Sequence, residues 1–355
     1  MISHWVPFLV FSVWFGSLAD RYDCRRLIQG AQALFMLVSA AWGVLFLADS
    51  FQVWQACVLL ALHGCAGSLW TPGEQMMLHD FAGRDELPSA VRLNATFRSL
   101  GVLFGPVIGS ALLLGLGPVA GIFVNIAFYL PLTLFLFRTR FTGHVRDQGV
   151  ARARVGVREA VRVLREVRSD RTLVSMIMIG GIGSFFIGAS MQSAMPIFAQ
   201  DLGAGSAGSA GTAYGALLFA NGAGGVVGGL LLEVTGRIKP NVTAALVSTA
   251  IYGLTSFLFA LTASYPLALF LLVAGGVANL ASMSISQTVV QLLAPPAQRG
   301  RVIGLYGMSS GGLRAGSGFT VGLLGTAIGI HSSVAVSGAA LVLCTFAVGG
   351  YALRR

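Results

Sequence analysis

The chain has 355 residues, of which 55% are hydrophobic and 10% charged, against about 25% charged in a typical soluble domain. A mean hydropathy of +0.79 and 47 glycines leave too little polar surface for a water-soluble fold and suit helices packed closely in lipid, which excludes soluble enzymes and secreted modules. The net charge of +10 comes almost wholly from Arg, with Lys239 the one lysine, in short segments between apolar runs; membrane topology explains that distribution better than nucleic-acid binding.

A transmembrane helix needs about 20 largely apolar residues. Such runs lie near 1–19, 27–48, 53–78, 88–114, 117–137, 171–200, 212–232, 241–262, 265–293, 301–327 and 331–353, which makes an all-α membrane protein of 11 spans. Alternate connections gather the positive charge: Arg21, Arg25 and Arg26; Arg84 and Arg92; the arginines from Arg138 to Arg171; Arg237 and Lys239; Arg299 and Arg301; Arg354 and Arg355. The opposite loops hold Asp49, Asp201 and His331 without any Lys or Arg. The Arg-rich face, with the C-terminus, is therefore expected in the cytoplasm. Low Lys beside abundant Arg, Ala and Gly points to a GC-rich bacterial genome and a plasma-membrane location.

The spans group into an N-terminal bundle (1–138), an Arg-rich linker (139–170) and a C-terminal bundle (171–355). In the linker, Val157, Val161, Leu164 and Val167 form a helical stripe, predicting an amphipathic helix at the lipid surface. The two bundles repeat each other. Gly16, Leu18, Asp20 and Arg25 match Gly229, Leu231, Glu233 and Arg237 near an offset of 213, and Val91, Gly101 and Gly105 match Val302, Gly312 and Gly316 at 211. Duplicated halves are a transporter architecture. By the same offset the span at 171–200 has its counterpart ahead of Met1, so the expectation is a twelve-helix plan from which the first helix is missing (5 + 6 spans here).

Cys24, Cys57, Cys65 and Cys344 lack the spacing of a zinc site or a disulfide framework and read as packing residues; no metal or cofactor is expected. There is no phosphate-binding GxxxxGK[ST] loop and no HExxH, which excludes nucleotide-driven transport by this chain alone and argues against an enzyme. Ionisable groups inside apolar spans cost about 2.5 to 3.5 kcal/mol or more and are functional candidates. They are Glu74, Arg98 and Arg314. A Glu74–Arg98 pair would offset part of both burial costs, or Glu74 reaches the interface; Arg98 and Arg314 could hold an anionic substrate or a carboxylate. His63 reads as a proton carrier or, more simply, a hydrogen-bonded packing histidine. Asn94, Asn125, Gln192, Asn221, Asn279, Gln287 and Gln291 are expensive in lipid and are expected to face the interior, Gln192 on a cavity wall.

The segment Gly16-Ser17-Leu18-Ala19-Asp20-Arg21-Tyr22-Asp23-Cys24-Arg25-Arg26 resembles the signature loop of the major facilitator superfamily (G-x-L-a-D-r-x-x-r-R), departing from it at Asp23-Cys24, where that family often has Gly. The resemblance implies a fold of two pseudo-symmetric six-helix bundles and a gating role for this loop. Physically, Gly16 permits close helix approach, Asp20 can sit by an Arg or a helix N-terminus, and Arg25 and Arg26 reach the lipid interface. A second run, Gly101-Val-Leu-Phe-Gly105-Pro106-Val-Ile-Gly109, is similar to the helix 5 motif of proton-coupled exporters in that superfamily (G-x3-G-P-x2-G-G) and predicts a bent, close-packed hinge; Ser110 replaces the last Gly, and Arg92 stands where the motif's first Gly would fall. Pro72, Asp80, Leu93-Asn94, Arg299-Gly300-Arg301-Val302 and Gly307-Met308 extend the resemblance to the drug and siderophore exporter branch that includes the enterobactin exporter.

The resemblance implies a monomeric secondary transporter in the lipid bilayer, exporting small amphipathic molecules against an inward proton flow. The alternatives are an importer of the same fold and a non-transporting remnant. A channel or receptor would need a continuous polar lining or a ligand domain, and the sequence carries neither.

Overall fold

The structure is a computed structural model that describes residues 2–147, 157–188, 190–203, 210–236 and 239–354. Its elements are helical throughout, with no strand among the described residues: α1 Ile2–Arg21, α2 Cys24–Leu47, α3 Val53–Ala127, α4 Leu130–Arg138, α5 Val157–Ser169, α6 Arg171–Phe186, α7 Ser190–Gly203, α8 Ala210–Thr235, α9 Val242–Leu261, α10 Tyr265–Leu293, α11 Arg299–Gly307, α12 Arg314–Ser317, α13 Leu324–Ile328 and α14 Ile330–Ala352. Among these, 7 helical stretches are long and apolar enough to cross a membrane, or 8 if α6 and α7 form one broken span.

The breaks follow from local chemistry. The long α3 is interrupted at Gly83 (φ 75) and Gly117 (φ 78), backbone conformations that only glycine adopts without strain, so the continuous helix is three apolar stretches separated where the hydropathy dips. The turn between α1 and α2 is shorter than the hydropathy gap of 20–26 predicts. Asp23 caps α2, its Oδ1 accepting from the Arg25 backbone N–H at 3.0 Å, so the helix restarts at once. The span expected at 171–200 is divided between α6 and α7, with Gly188 at φ 27. The span expected at 301–327 is also not one α-helix: π-helical turns at Met308–Gly312 and Gly318–Leu323 interrupt it, in a stretch where Gly311, Gly312, Gly316, Gly318 and Gly322 offer few side chains to hold the α register.

The residues pack as two compact units, Met1–Leu87 with Gly105–Ser169 and Gln291–Gly312, and Pro88–Phe104 with Asp170–Val290 and Leu313–Arg355. The units differ from the sequence halves in one reciprocal respect: each half lends the other a helical stretch, 291–312 to the first unit and 88–104 to the second. Packing at glycine-rich faces accounts for the exchange. The first unit centres on Ala19, Cys24, Ile28, Met76, Leu136 and Ile303, the second on Met195, Phe198, Leu217, Phe259, Ala268 and Leu341.

Helix α5 lays one face on its neighbours. Its buried face is Val163 and Val167, one turn apart, while Leu164 is 40% exposed, and it packs against α1 and α11. Gln298 Nε2 donates to Glu166 Oε2 at 2.8 Å and helps fix it there. The side chains of Val157 and Val161 lie outside the described residues.

Candidate functional site

The signature loop builds a latch in the first unit. Asp20, on the last turn of α1, is 5% exposed. Its Oδ1 accepts from the Gly300 N–H at 2.6 Å and its Oδ2 from the Arg301 N–H at 3.2 Å, with Arg301 Nε at 3.4 Å. These are the free N–H groups at the start of α11, where a helix dipole favours negative charge. The carboxylate therefore meets both partners expected for it at once, a helix N-terminus and an arginine. Arg301 is itself fully buried, and a buried charge is tolerable only when paired in this way.

Small residues bring the two helices close enough. A Cβ on Gly16 would lie 2.8 Å from the Gly300 carbonyl carbon and 3.0 Å from Arg301 Cα, and one on Gly304 would strike the Ser12 carbonyl. Ser12 and Gly16 on α1, and Gly300 and Gly304 on α11, are each four residues apart, the small-xxx-small spacing that lets helix backbones touch.

The repeat supplies a second latch in the second unit. Glu233, the match of Asp20, accepts from Ser89 Oγ at 2.5 Å and Arg92 Nε at 2.9 Å. Arg92, a departure from the helix 5 motif, is thus the partner that replaces it. Gly229, the match of Gly16, sits against Thr96, Gly225 against Ser99 and Gly222 against Leu103. Arg237, the match of Arg25, lies outside the described residues.

The remaining loop residues act locally. Arg25 Nε and Nη2 grip the Asp23 carboxylate at 3.0 and 2.6 Å while Nη1 donates to the Thr139 carbonyl at 2.6 Å, so Arg25 ties the turn to the end of α4 instead of anchoring to lipid. Partial burial pushes the Asp23 carboxyl up, but the Arg25 hydrogen bonds outweigh it and hold the group below its ordinary value. Arg26 donates to Gln29 and lies over the Phe137 ring, and Arg21 lies 5.8 Å from the Tyr22 ring. Leu18 is half-buried beside them.

Sequence reasoning missed the strap over this loop. Asp80, buried at 1% exposure, accepts from the Gly143 and Arg146 N–H groups at 2.9 and 3.0 Å. Asp147 pairs with Arg299, which also donates to His79 Nδ1 at 3.1 Å. Arginine has only donors, so in this contact the His79 Nδ1 accepts. Asp80 belongs to the exporter-branch resemblance, but its partners lie in a linker whose folding no periodicity reveals.

The candidate binding residues are spread out. Glu74 and Gln291 join a chain of amides in the first unit: Gln291 Nε2 donates to Gln75 Oε1 at 2.6 Å, and Gln75 Nε2 to Glu74 Oε2 at 3.1 Å. Arg98 is exposed on the second unit and Asn94 is half-buried there. Gln192 is exposed on α7, opposite the buried face of Met191, Ala194, Met195 and Phe198. Gln287 and Arg314 are half-buried. His63 packs its ring against those of His4 and Phe35, with centroids 5.0 and 4.6 Å away, and its buried Nδ1 has no hydrogen-bond partner among the described residues.

The helix 5 glycines are not close-packed. A Cβ at Gly101, Gly105 or Gly109 would meet nothing within 4 Å, and the backbone stays helical through Pro106. The close approaches along this helix come from the glycines of α8 against Thr96 and Ser99. The boundary between the two units falls between Phe104 and Gly105.

The family model described as Major Facilitator Superfamily matches residues 1–318. Two curated relatives are the uncharacterized MFS-type transporter YfiS of Bacillus subtilis, 26% identical over 141 residues (39% of this chain, 33% of YfiS), and the Staphyloferrin A transporter of Staphylococcus aureus, 28% identical over 109 residues (30% and 28%). These matches span about a third of either relative's length. Among solved structures, the human organic anion transporter MFSD10 (TETRAN) superposes with a TM-score of 0.78 at 15% identity, covering 98% of this chain and 82% of that one. A variant of the Escherichia coli fucose:proton symporter FucP gives 0.71 at 13% identity, covering 99% and 90%. With the family model matched over most of its length and the fold shared with both solved transporters, the chain belongs to the Major Facilitator Superfamily, and its described residues include 7 helical stretches long and apolar enough to cross a membrane.

Proposed function

We propose that this chain is a proton-coupled exporter of small amphipathic molecules, drugs or siderophore-like compounds, working by alternating access as a monomer in a bacterial plasma membrane with its Arg-rich face and C-terminus in the cytoplasm. The observation that carries the reading is the Asp20 latch together with its repeat at Glu233. Two carboxylates at matching places of the repeat, Asp20 and Glu233, each hold a helical stretch contributed by the other sequence half, contacts that a transport cycle would make and break.

The latch also links closure to protons. A proton on Asp20 would remove the charge opposite Arg301 and turn an acceptor oxygen into a donor facing the Gly300 N–H, so protonation and opening favour each other. Glu74, Arg98, Arg314, Gln192, Asn94 and Gln287 are the candidates for meeting substrate or proton. Relatives named for transport of staphyloferrin A, organic anions and fucose with protons support a small-molecule cargo and proton coupling.

The test is proton-gradient-driven efflux of a fluorescent cationic dye from cells making this chain, beside Asp20→Asn. The reading expects efflux that collapses with the gradient and is lost in the variant. Accumulation of the dye along the gradient would favour an importer, and no movement of dyes or siderophores would favour the non-transporting remnant.

A further inference from the structure

In the loops without Lys or Arg, His331 is the only side chain that can carry a positive charge. It lies in the first turn of α14 and meets Asp201, in the last turn of α7, at 2.8 Å between Nε2 and Oδ2. Both residues belong to the second unit, and both reach water. The other ring nitrogen, Nδ1, is 3.4 Å from the carbonyl oxygen of Ala260 in the last turn of α9. The imidazole packs on the Phe198 ring with centroids 4.2 Å apart, and Phe198 packs on Phe259 at 4.5 Å. One histidine therefore touches α7, α9 and α14.

The oxygens at its two nitrogens, an ionised carboxylate and a carbonyl, accept hydrogen bonds and donate none. A neutral imidazole has one N–H and serves one of them, whereas the imidazolium has two and serves both. The surroundings favour the charged ring as well: the last carbonyls of α9 form the negative end of its dipole, and the Phe198 face attracts a cation. The start of α14 works against it, but a helix end carries about half a charge and Asp201 a full one in direct contact. No other charge reaches this end among the described residues. Asp201 is the one charged side chain of α7, α9 and α13 have none, and Arg171 of α6 donates to the Arg354 carbonyl at the far end of α14. On α14, Cys344 and Tyr351 lie well beyond His331. The other titratable neighbours are Tyr214, Tyr252 and Tyr265, a residue type that does not titrate between pH 5 and 8.

We propose that His331 is a proton-binding site on the face that lacks Lys and Arg, and that the bound proton clasps the end of α7 to α9 and α14. Helix α7 can respond by itself, because it is divided from α6 near Gly188, whose φ is 27. The sign is opposite to that at Asp20, where a proton weakens the contact instead of making it. As a step in transport the clasp rests on the proton-coupled reading above; as a proton site it stands on the geometry alone.

Leu202, half-buried next to Asp201 and packed on the same cluster, reports on the clasp. In a background with Cys24, Cys57, Cys65 and Cys344 replaced by Ser, Leu202→Cys is labelled with a maleimide in the purified protein. Each rate is divided by that of the same site with His331→Gln added, at the same pH, which cancels the titration of the thiol itself. The expected labelling is about two- to fivefold slower than in His331→Gln at pH 5.5, the range for a partly exposed ion pair, and equal to it at pH 8.5. Asp201→Asn should remove the difference, and His331→Lys, which keeps a cation throughout, should extend the protection to pH 8.5. Protection that is absent, that is the same at both pH values, or that survives in Asp201→Asn overturns the proposal. None of these readouts involves transport. A missing pH response therefore leaves the export reading standing, and failed efflux beside an intact pH response leaves the proton site standing.

Discussion

The Asp20 carboxylate accepts the Gly300 N–H at 2.6 Å, joining the signature loop of the first half to the opening turn of a helix 280 residues further along the chain. That bond exists because neither Gly16 nor Gly300 has a side chain. A Cβ on Gly300 would also lie 2.8 Å from Asp20 Oδ1, so the contact depends on backbone approach as much as on charge.

Asp20→Asn is nearly isosteric, but it removes the charge facing Arg301 and turns a donating NH₂ group toward N–H donors. Breaking a buried pair from one side costs about 3 to 5 kcal/mol. The expected outcome is a lower Tm in detergent together with loss of transport, while Asp23→Asn, at the exposed turn, retains transport.

Glycines at matched places should respond differently. Gly16→Ala is expected to force α1 and α11 apart and abolish transport, whereas Gly101→Ala, facing open space, should leave folding intact and gain about 1 kcal/mol from helix propensity. Paired thermal melts and efflux assays check this. A damaging Gly101→Ala would show that helix 5 closes on a partner elsewhere in the cycle.

Arg92 and Glu233 lie 2.9 Å apart with side chains 14% and 30% exposed. Partial exposure weakens the pair, so a double-mutant cycle with Arg92→Ala and Glu233→Ala is expected to give a coupling of only about 1 kcal/mol. Its effect on transport should be milder than that of Asp20.

Acid should loosen the turn between α1 and α2 through Asp23. Its carboxyl is held below the ordinary value, so the charged form favours the folded turn above about pH 4, and that contribution is lost as the pH falls through the lowered value. Stability measured from pH 6 to pH 2 should fall more steeply in the parent than in Asp23→Asn.

Much of this was legible in the sequence because it depends on regular signals. Apolar runs predict an all-helical chain but not the breaks in the spans at 171–200 and 301–327, and the spacing of Gly16, Asp20 and Arg25 against Gly229 and Glu233 points to both latches. The partners were harder to find. Ser12, Gly300 and Gly304 carried a readable small-xxx-small spacing, but Ser89, Gln75 and Asp147 belong to no pattern, because a hydrogen bond between distant segments leaves no periodic trace. The glycines of helix 5 misled in the opposite way: the residue type permits close packing without requiring it, and here the packing glycines are those of α8. The strap from Gly143 to Asp147 escaped because a polar linker carries no hydrophobic pattern to fold by.

The most direct test of the latch is to weld it shut. A Cβ on Gly307 would lie 4.0 Å from Ser12 Cβ, within disulfide reach, so Ser12→Cys with Gly307→Cys, in a background with Cys24, Cys57, Cys65 and Cys344 replaced by Ser, can cross-link α1 to α11. Opening of this contact in every cycle predicts that oxidation stops transport and reductant restores it. Equal transport by the oxidised and reduced forms would contradict the account, because the two helices would then have no need to part.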